Sequence, residues 1–198
     1  MNIDKIINDV KNGIPVIILD DDDRESEGDI IISANRANKY NINFTIRHAC
    51  GLMCIPCFGD LIDKLNIPMQ NVNVEKKFNC AFTYGIDSRK SKTGVSVNDR
   101  LLLINDLIND KTTKDDIFYP GHTFLLRAKD NLLKERKGHT EASLELMRLV
   151  GEKPISIIAE IMNSDGSMAT GQSLIDYAKT YNLQLITVEQ LYNYVYEK

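Results

Sequence analysis

The 198-residue chain is short of several features that would place it in particular protein classes. No run approaches the ~20 apolar residues of a membrane span, and no apolar N-terminal stretch of the signal-peptide kind is present, so a cytoplasmic location without membrane contact is expected. Basic residues are not in surplus. Lys and Arg number 24 against 28 Asp and Glu, for a net charge of −4 and a pI near 5.4, which argues against a general nucleic-acid binder. Cysteine is scarce. Cys50, Cys54, Cys57 and Cys80 are spaced unlike the CxxC pairs of a zinc ribbon, and no histidine follows at finger spacing. They read as buried, reduced thiols, three of them on an apolar strand. Repeats, low-complexity tracts and linkers are also missing, so residues 1–198 are expected to form a single domain.

Ordinary soluble-protein material is present: 43% hydrophobic and 26% charged residues. Ile3, Ile6, Ile7 and Val10 fall at i, i+3, i+4, i+7, the spacing of an amphipathic helix, which Asn12 and Gly13 end. Strands are predicted at 14–19, 29–34, 51–56, 80–86, 122–128, 155–162 and 183–188. Helices are predicted at about 98–110, 140–150, 172–181 and 188–197, the last with a capping box from Thr187 and Gln190. Because strands and helices do not alternate strictly, an α+β fold with a mixed β-sheet covered by helices is expected. The charged segment 110–117 reads as a mobile loop that Pro120-Gly121 ends.

The densest charge lies in "DDDDRESEGD", residues 20–29, where seven of ten side chains are acidic. In an extended backbone Glu25, Glu27 and Asp29 would share one side. Three carboxylates there call for a cation, supplied by Arg24 or by a divalent metal, though the spacing is not that of an EF-hand. A solvated acidic turn explains the same pattern. In "RKGHTEAS", 136–143, Thr140 is placed to cap a helix, and Gly138 permits close backbone approach. Arg136 and Lys137 flank a helix N-terminus suited to phosphate, with His139 at the same corner. His122 follows Pro120-Gly121 at a loop–strand junction. Glu160 lies in the apolar "SIIAEIM", where a carboxylate is costly to bury and is suited to proton transfer. The turn at Thr93 in "KTGVSVNDR" offers further donors, or simply caps a helix.

Together and in this order these stretches resemble 3,4-dihydroxy-2-butanone 4-phosphate synthases of riboflavin biosynthesis. The pattern D-x-x-x-R-E-x-E-x-D is matched by Asp20, Arg24, Glu25, Glu27 and Asp29, and R-x-G-H-T-E by Arg136, Gly138, His139, Thr140 and Glu141. P-G-H followed by L-R-A at 120–128, T-G-V-S with D-R at 93–100, and Glu160 complete the match. Departures are an alanine before Glu160, where many relatives have cysteine, and a cysteine-rich "HACGLMC".

The resemblance implies a lyase that converts D-ribulose 5-phosphate into 3,4-dihydroxy-2-butanone 4-phosphate and formate. It implies Glu25 and His139 as ligands of Mg²⁺, with Mn²⁺ as a substitute, the metal stabilising enediolate intermediates. His122 and Glu160 match positions essential for catalysis. Asp20, Arg24, Glu27, Asp29, Thr93, Arg136, Lys137, Gly138 and Thr140 match or adjoin substrate-binding positions, while Asp21, Asp22 and Asp23 are not all accounted for. It also implies a homodimer with active sites at the subunit interface, His122 reaching the neighbour's metal site. Some relatives carry a GTP cyclohydrolase II domain, for which this length leaves no room, so a monofunctional form is expected. The competing readings are an RNA- or nucleotide-binding module and another metal-dependent sugar-phosphate enzyme.

Overall fold

In the computed structural model, which describes residues 3–21, 24–70 and 80–197, the apolar runs become strands of one seven-stranded sheet. In chain order these are β1 (Val16–Leu19), β2 (Gly28–Ser33), β3 (Cys54–Cys57), β4 (Phe82–Ser88), β5 (Ile117–Arg127), β6 (Ser156–Glu160) and β7 (Gln184–Thr187). Across the sheet the order is β4-β5-β3-β6-β2-β1-β7. The β1–β7 and β3–β5 pairs are parallel and the others antiparallel, which is the expected mixed sheet. The helices are α1 (Ile3–Lys11), α2 (Lys39–His48), α3 (Gly59–Lys64), α4 (Val97–Ile108), α5 (His139–Val150), α6 (Gln172–Tyr181) and α7 (Val188–Tyr196).

β2 shows how the layers form. All six of its residues are buried, as in a strand covered on both faces. Ile30 and Ile32 pack into a core with Ile42 of α2, Leu103 of α4 and Leu174 of α6. Ile31, pointing the opposite way, joins Ile6 of α1, Leu146 of α5 and Leu191 of α7. The sheet is thus sandwiched between two helical layers. Asp29, in phase with Ile31, faces the α5 side, and that phase places the site. Among the described residues no helix is long and apolar enough to cross a membrane.

Helix α1 buries Ile6 and Val10 as its spacing predicts, and the Thr187–Gln190 capping box forms at the start of α7. Several expectations need correction. α2 begins in a capping box of Asn38 with Asn41, a pair of asparagines rather than Ser/Thr with Glu/Gln. α3 is a short helix with no side-chain cap, and neither helix was expected. Gly138, not Thr140, is the N-cap of α5, without a side-chain cap bond. Pro120-Gly121 does not end a loop but lies inside β5, and Thr113 caps a 3-10 turn, Lys114–Asp116, within the segment expected to be mobile. Cys54 and Cys57 are buried free thiols as expected, whereas Cys50 is exposed and Cys80 only partly buried. Cys50 sits at φ +72 in the turn after α2, outside the strand.

Candidate active site

β1 and β2 form a hairpin whose loop is closed at the neck by the Asp20 N–H donating to the Glu27 carbonyl (2.9 Å). The strand starts only at Gly28, and Ser26 takes a left-handed conformation (φ +57). Strand alternation therefore does not align Glu25 and Glu27 with Asp29, as an extended backbone would. The turn folds over instead, and the three carboxylates still line one cavity of about 80 Å³ together with Arg24, His139 and Glu160. Asp29 and Glu160 are direct cross-strand partners of β2 and β6, so their side chains share a face. The Leu52 N–H donates to Glu160 Oε2 (2.8 Å). A Cβ on Gly51 would lie 2.4 Å from the Glu160 carbonyl oxygen, so glycine there lets the 51–52 backbone close on Glu160.

Crowded negative charge dominates the cavity. Burial pushes the Asp29 carboxyl well above its ordinary value, reinforced by Glu160, Asp20, Glu27 and Glu25. Glu27 is raised by burial and by Glu25 and Glu160. Asp20 is raised by burial, even though Arg24 Nη1 lies 2.5 Å from its Oδ2 and opposes the shift. The same Nη1 lies 2.8 Å from Glu25 Oε2. His139 moves the other way. Burial, with Arg24 and Arg136 nearby, holds its imidazole down at about 3, leaving it neutral with a lone pair to give.

These groups fit a divalent cation. One ligand atom each from Asp20, Glu25 and His139 lies within 4.8 Å of the others. His139 Nε2 and Asp29 Oδ1 are buried polar atoms with no hydrogen-bond partner among the described residues, a cost that native interiors rarely leave uncompensated. The ring nitrogens stand 3.6 Å from Asp20 Oδ1 and Asp29 Oδ1, too far for hydrogen bonds. Imidazole with carboxylates suits Mg²⁺ or Mn²⁺. Asp20 joins the expected pair, Glu25 and His139, as a third candidate ligand.

The α5 corner is partly as expected. His139 opens α5, and Thr140, behind it, is buried. Arg136 Nη1 lies 2.6 Å from Glu141 Oε2, and Nη2 lies 3.4 Å from Cys80 Sγ. A Cβ on Gly138 would come within 2.4 Å of Arg136 Nη1, so Gly138 makes room for that guanidinium. Lys137 stacks on the Tyr192 ring (4.4 Å) and, with Asp21, Arg24 and Glu189, lines an adjacent polar cavity of about 480 Å³. Asp22 and Asp23 lie outside the described residues.

His122 and Thr93 are not in this cavity. Ile86 of β4 pairs with Thr123 of β5, and the next residue, Asp87, pairs with Phe118. Residues 119–122 therefore form an excursion opposite a single step of β4, a bulge of the kind that tolerates proline inside a sheet. The excursion leaves the His122 side chain 52% exposed. Its Nδ1 lies 2.7 Å from Asp87 Oδ2, and its backbone N–H donates to Asp87 Oδ1 (3.2 Å). The Thr93 hydroxyl donates to Asp99 Oδ2 (3.1 Å), which also accepts from the Thr93 and Gly94 N–H groups. Sequence reasoning missed Asp87 and gave no role to Cys80 or to Asp99, the acid of the D-R element. Only the acid in the apolar "YGIDS" could have flagged Asp87.

A mixed sheet between helical layers, with a carboxylate–histidine cluster beside a basic helix start, is the class of α+β site that suits a divalent cation and a small anion. Comparison with known proteins is more specific. The family model for 3,4-dihydroxy-2-butanone 4-phosphate synthase matches residues 4–194, and the chain belongs to that family. A Helicobacter pylori 3,4-dihydroxy-2-butanone 4-phosphate synthase is 43% identical over 187 residues, covering 93% of this chain and 54% of that protein. A Staphylococcus haemolyticus riboflavin biosynthesis protein RibBA is 41% identical over 193 residues, covering 97% and 49%. The chain thus spans about half the length of these curated relatives. A crystal structure of 3,4-dihydroxy-2-butanone 4-phosphate synthase in complex with two magnesium ions superposes with a TM-score of 0.92 at 31% identity, covering 100% of this chain and 98% of that one.

Proposed function

We propose that this chain is a lyase that converts D-ribulose 5-phosphate into 3,4-dihydroxy-2-butanone 4-phosphate and formate, supplying riboflavin biosynthesis in the cytoplasm. The observation that carries this reading is the meeting of Glu25 and His139, with Asp20 within reach of both, on the cavity that holds the facing carboxylates Asp29 and Glu160. The elements balance. Five carbons enter, four leave in the product and one in formate, and the water lost on dehydration returns when that carbon departs.

Glu25 and His139, with Asp20 beside them, would hold Mg²⁺, or Mn²⁺ as a substitute; the structurally similar family member carries magnesium. When bound, the ion supplies Lewis-acid stabilisation of enediolate charge. Glu160, with one oxygen tied to the Leu52 N–H, keeps its other oxygen for a substrate proton. Asp29, which burial and four neighbouring carboxylates push toward its protonated form, is suited to donate a hydrogen bond to a sugar oxygen. Arg24 and Glu27 line the same wall. Lys137, Gly138, Thr140 and the Arg136 guanidinium surround the start of α5, where free N–H groups favour the phosphate.

His122 and Thr93 would complete the site from the partner subunit of a homodimer. The support for this is their exposure away from the cavity, His122 on the bulge of β5 and Thr93 on the turn between β4 and α4. On this reading residues 1–198 act as one domain. A formate assay with ribulose 5-phosphate and Mg²⁺ tests the proposal. Stoichiometric formate is expected, and an isomerised pentose phosphate without formate would overturn it.

A further inference from the structure

The feature that this function leaves unused is the acid behind His122. Asp87 is 3% exposed and meets His122 at two points. Its Oδ1 accepts from the His122 backbone N–H (3.2 Å), and its Oδ2 lies 2.7 Å from His122 Nδ1. The surrounding backbone is shaped to keep it there. A Cβ on Gly94 would fall 2.2 Å from Asp87 Oδ2 and 2.4 Å from His122 Nδ1. A Cβ on Gly121 would fall 2.3 Å from the Ile86 carbonyl carbon and 2.6 Å from the Asp87 nitrogen, and one on Gly85 would fall 2.3 Å from the Gly121 oxygen. Three glycines thus let two strands and the Thr93 turn close around one carboxylate–imidazole pair. Asp99, accepting from three successive N–H groups at Lys92, Thr93 and Gly94, clamps that turn.

We propose that Asp87 is a positioning residue that fixes His122 as the Nδ1–H tautomer and so presents a bare, outward Nε2 as the proton acceptor of the reaction. The proposal rests on the reading of His122 as a proton-transfer group. A carboxylate only accepts hydrogen bonds, so both groups facing it must donate. The backbone N–H always does, and Nδ1 must therefore carry the ring proton of the neutral imidazole. The lone pair is left on Nε2, the atom that points away from the carboxylate on a half-exposed ring. When Nε2 takes a proton from substrate, the same carboxylate stabilises the imidazolium. Arg100 of α4 also feels the Asp87 charge, but its Nη1 donates to Thr123 Oγ1 (3.3 Å) and its Nε to the Val95 carbonyl (3.0 Å).

Asparagine at this position gives a sharp test. Its single oxygen must face the His122 backbone N–H, which cannot become an acceptor. Its NH₂ then faces Nδ1 and drives the ring proton onto Nε2, the wrong atom for a base. Alanine removes the carboxylate but imposes no donor. We expect Asp87→Asn to lower kcat by about 100-fold or more, on the scale of lost general-base catalysis, with KM little changed. Asp87→Ala should be the less damaging of the two.

Nitrogen-15 NMR of the histidine-labelled enzyme reads the tautomer directly. The chain has three histidines, and the His122→Ala spectrum identifies the signals of interest. Wild type should show a protonated Nδ1 and an unprotonated Nε2 for His122, exchanged in Asp87→Asn. A wild-type His122 protonated at Nε2 overturns the proposal even if no variant folds. So does an Asp87→Asn enzyme with full kcat, or alanine more damaging than asparagine. Absence of formate from wild type would instead overturn the function on which the proposal rests.

Discussion

The cavity around His139 and the corner around His122 each place an imidazole within reach of an aspartate, and they treat it in opposite ways. His139 is 8% exposed in its side chain, 3.6 Å from two buried carboxylates and hydrogen-bonded to neither. His122 is 52% exposed and 2.7 Å from one buried carboxylate. The first arrangement leaves a lone pair and crowded negative charge converging on a common point, which suits a cation. The second ties one ring nitrogen and turns the other outward, which suits proton transfer to something arriving from outside. Distance and exposure, not residue type, separate the two histidines.

The most drastic way to break the comparison is to remove the cation. EDTA should abolish formate release and Mg²⁺ or Mn²⁺ should restore it, while His139→Ala should be inactive and bind Mn²⁺ weakly by calorimetry. Full turnover after exhaustive chelation would refute the cation site. Next in size is Glu160→Gln, which keeps shape and removes the ionisable group. Turnover should drop by roughly two orders of magnitude or more, with an unchanged circular dichroism spectrum. Near-normal formate release from that variant would make Glu160 structural.

A smaller effect tests whether the two regions serve one site across two chains. Glu25→Ala and His122→Ala chains, each inactive alone, are unfolded together and refolded as a mixture. With random pairing about half the dimers are mixed and one of their two sites is intact, so roughly a quarter of wild-type activity should return. No recovery in demonstrated mixed dimers would mean that both residues act in the same chain's site.

The smallest effect concerns the turn beside His122. The Lys92 N–H, ahead of the other groups around it, holds Asp99 down at about 2, below its ordinary 3.8. The stability this contributes is present above pH 3.8 and is lost as pH falls through about 2. The melting difference between wild type and Asp99→Asn should therefore shrink over that range. A difference independent of pH would refute the clamp.

Much of this was legible in the sequence because local chemistry decided it. Ile3, Ile6, Ile7 and Val10 mark α1 whatever they pack against, and the polar pattern at 20–29 stands out between apolar strands. What stayed hidden was decided at long range. Asn38 with Asn41 is a weak cap on paper, and α2 holds because Ile42 is buried in the core with Ile30, Ile32 and Leu103. Pro120-Gly121 reads as punctuation, yet β5 runs through it because β4 accommodates the bulge opposite Ile86 and Asp87. Asp20 as a third candidate ligand depends on the fold of the 20–27 loop, which spacing alone does not reveal.

The sheet order also sets when the site can come into being. β6 lies between β3 and β2, pairing with both, although it is the sixth strand to be made. Before it is inserted, the β4-β5-β3 and β2-β1 portions have no shared edge. The pairings that join them reach across about a hundred residues or more, contacts that are slow to form. Glu160 arrives on that same strand. A ribosome-bound chain can therefore fold its β1–β2 hairpin early, but it cannot set Glu160 opposite Asp29 until the joining strand has emerged. For most of synthesis the acidic loop is a charge cluster without His139, and Glu160 joins that corner in the same event that closes the sheet.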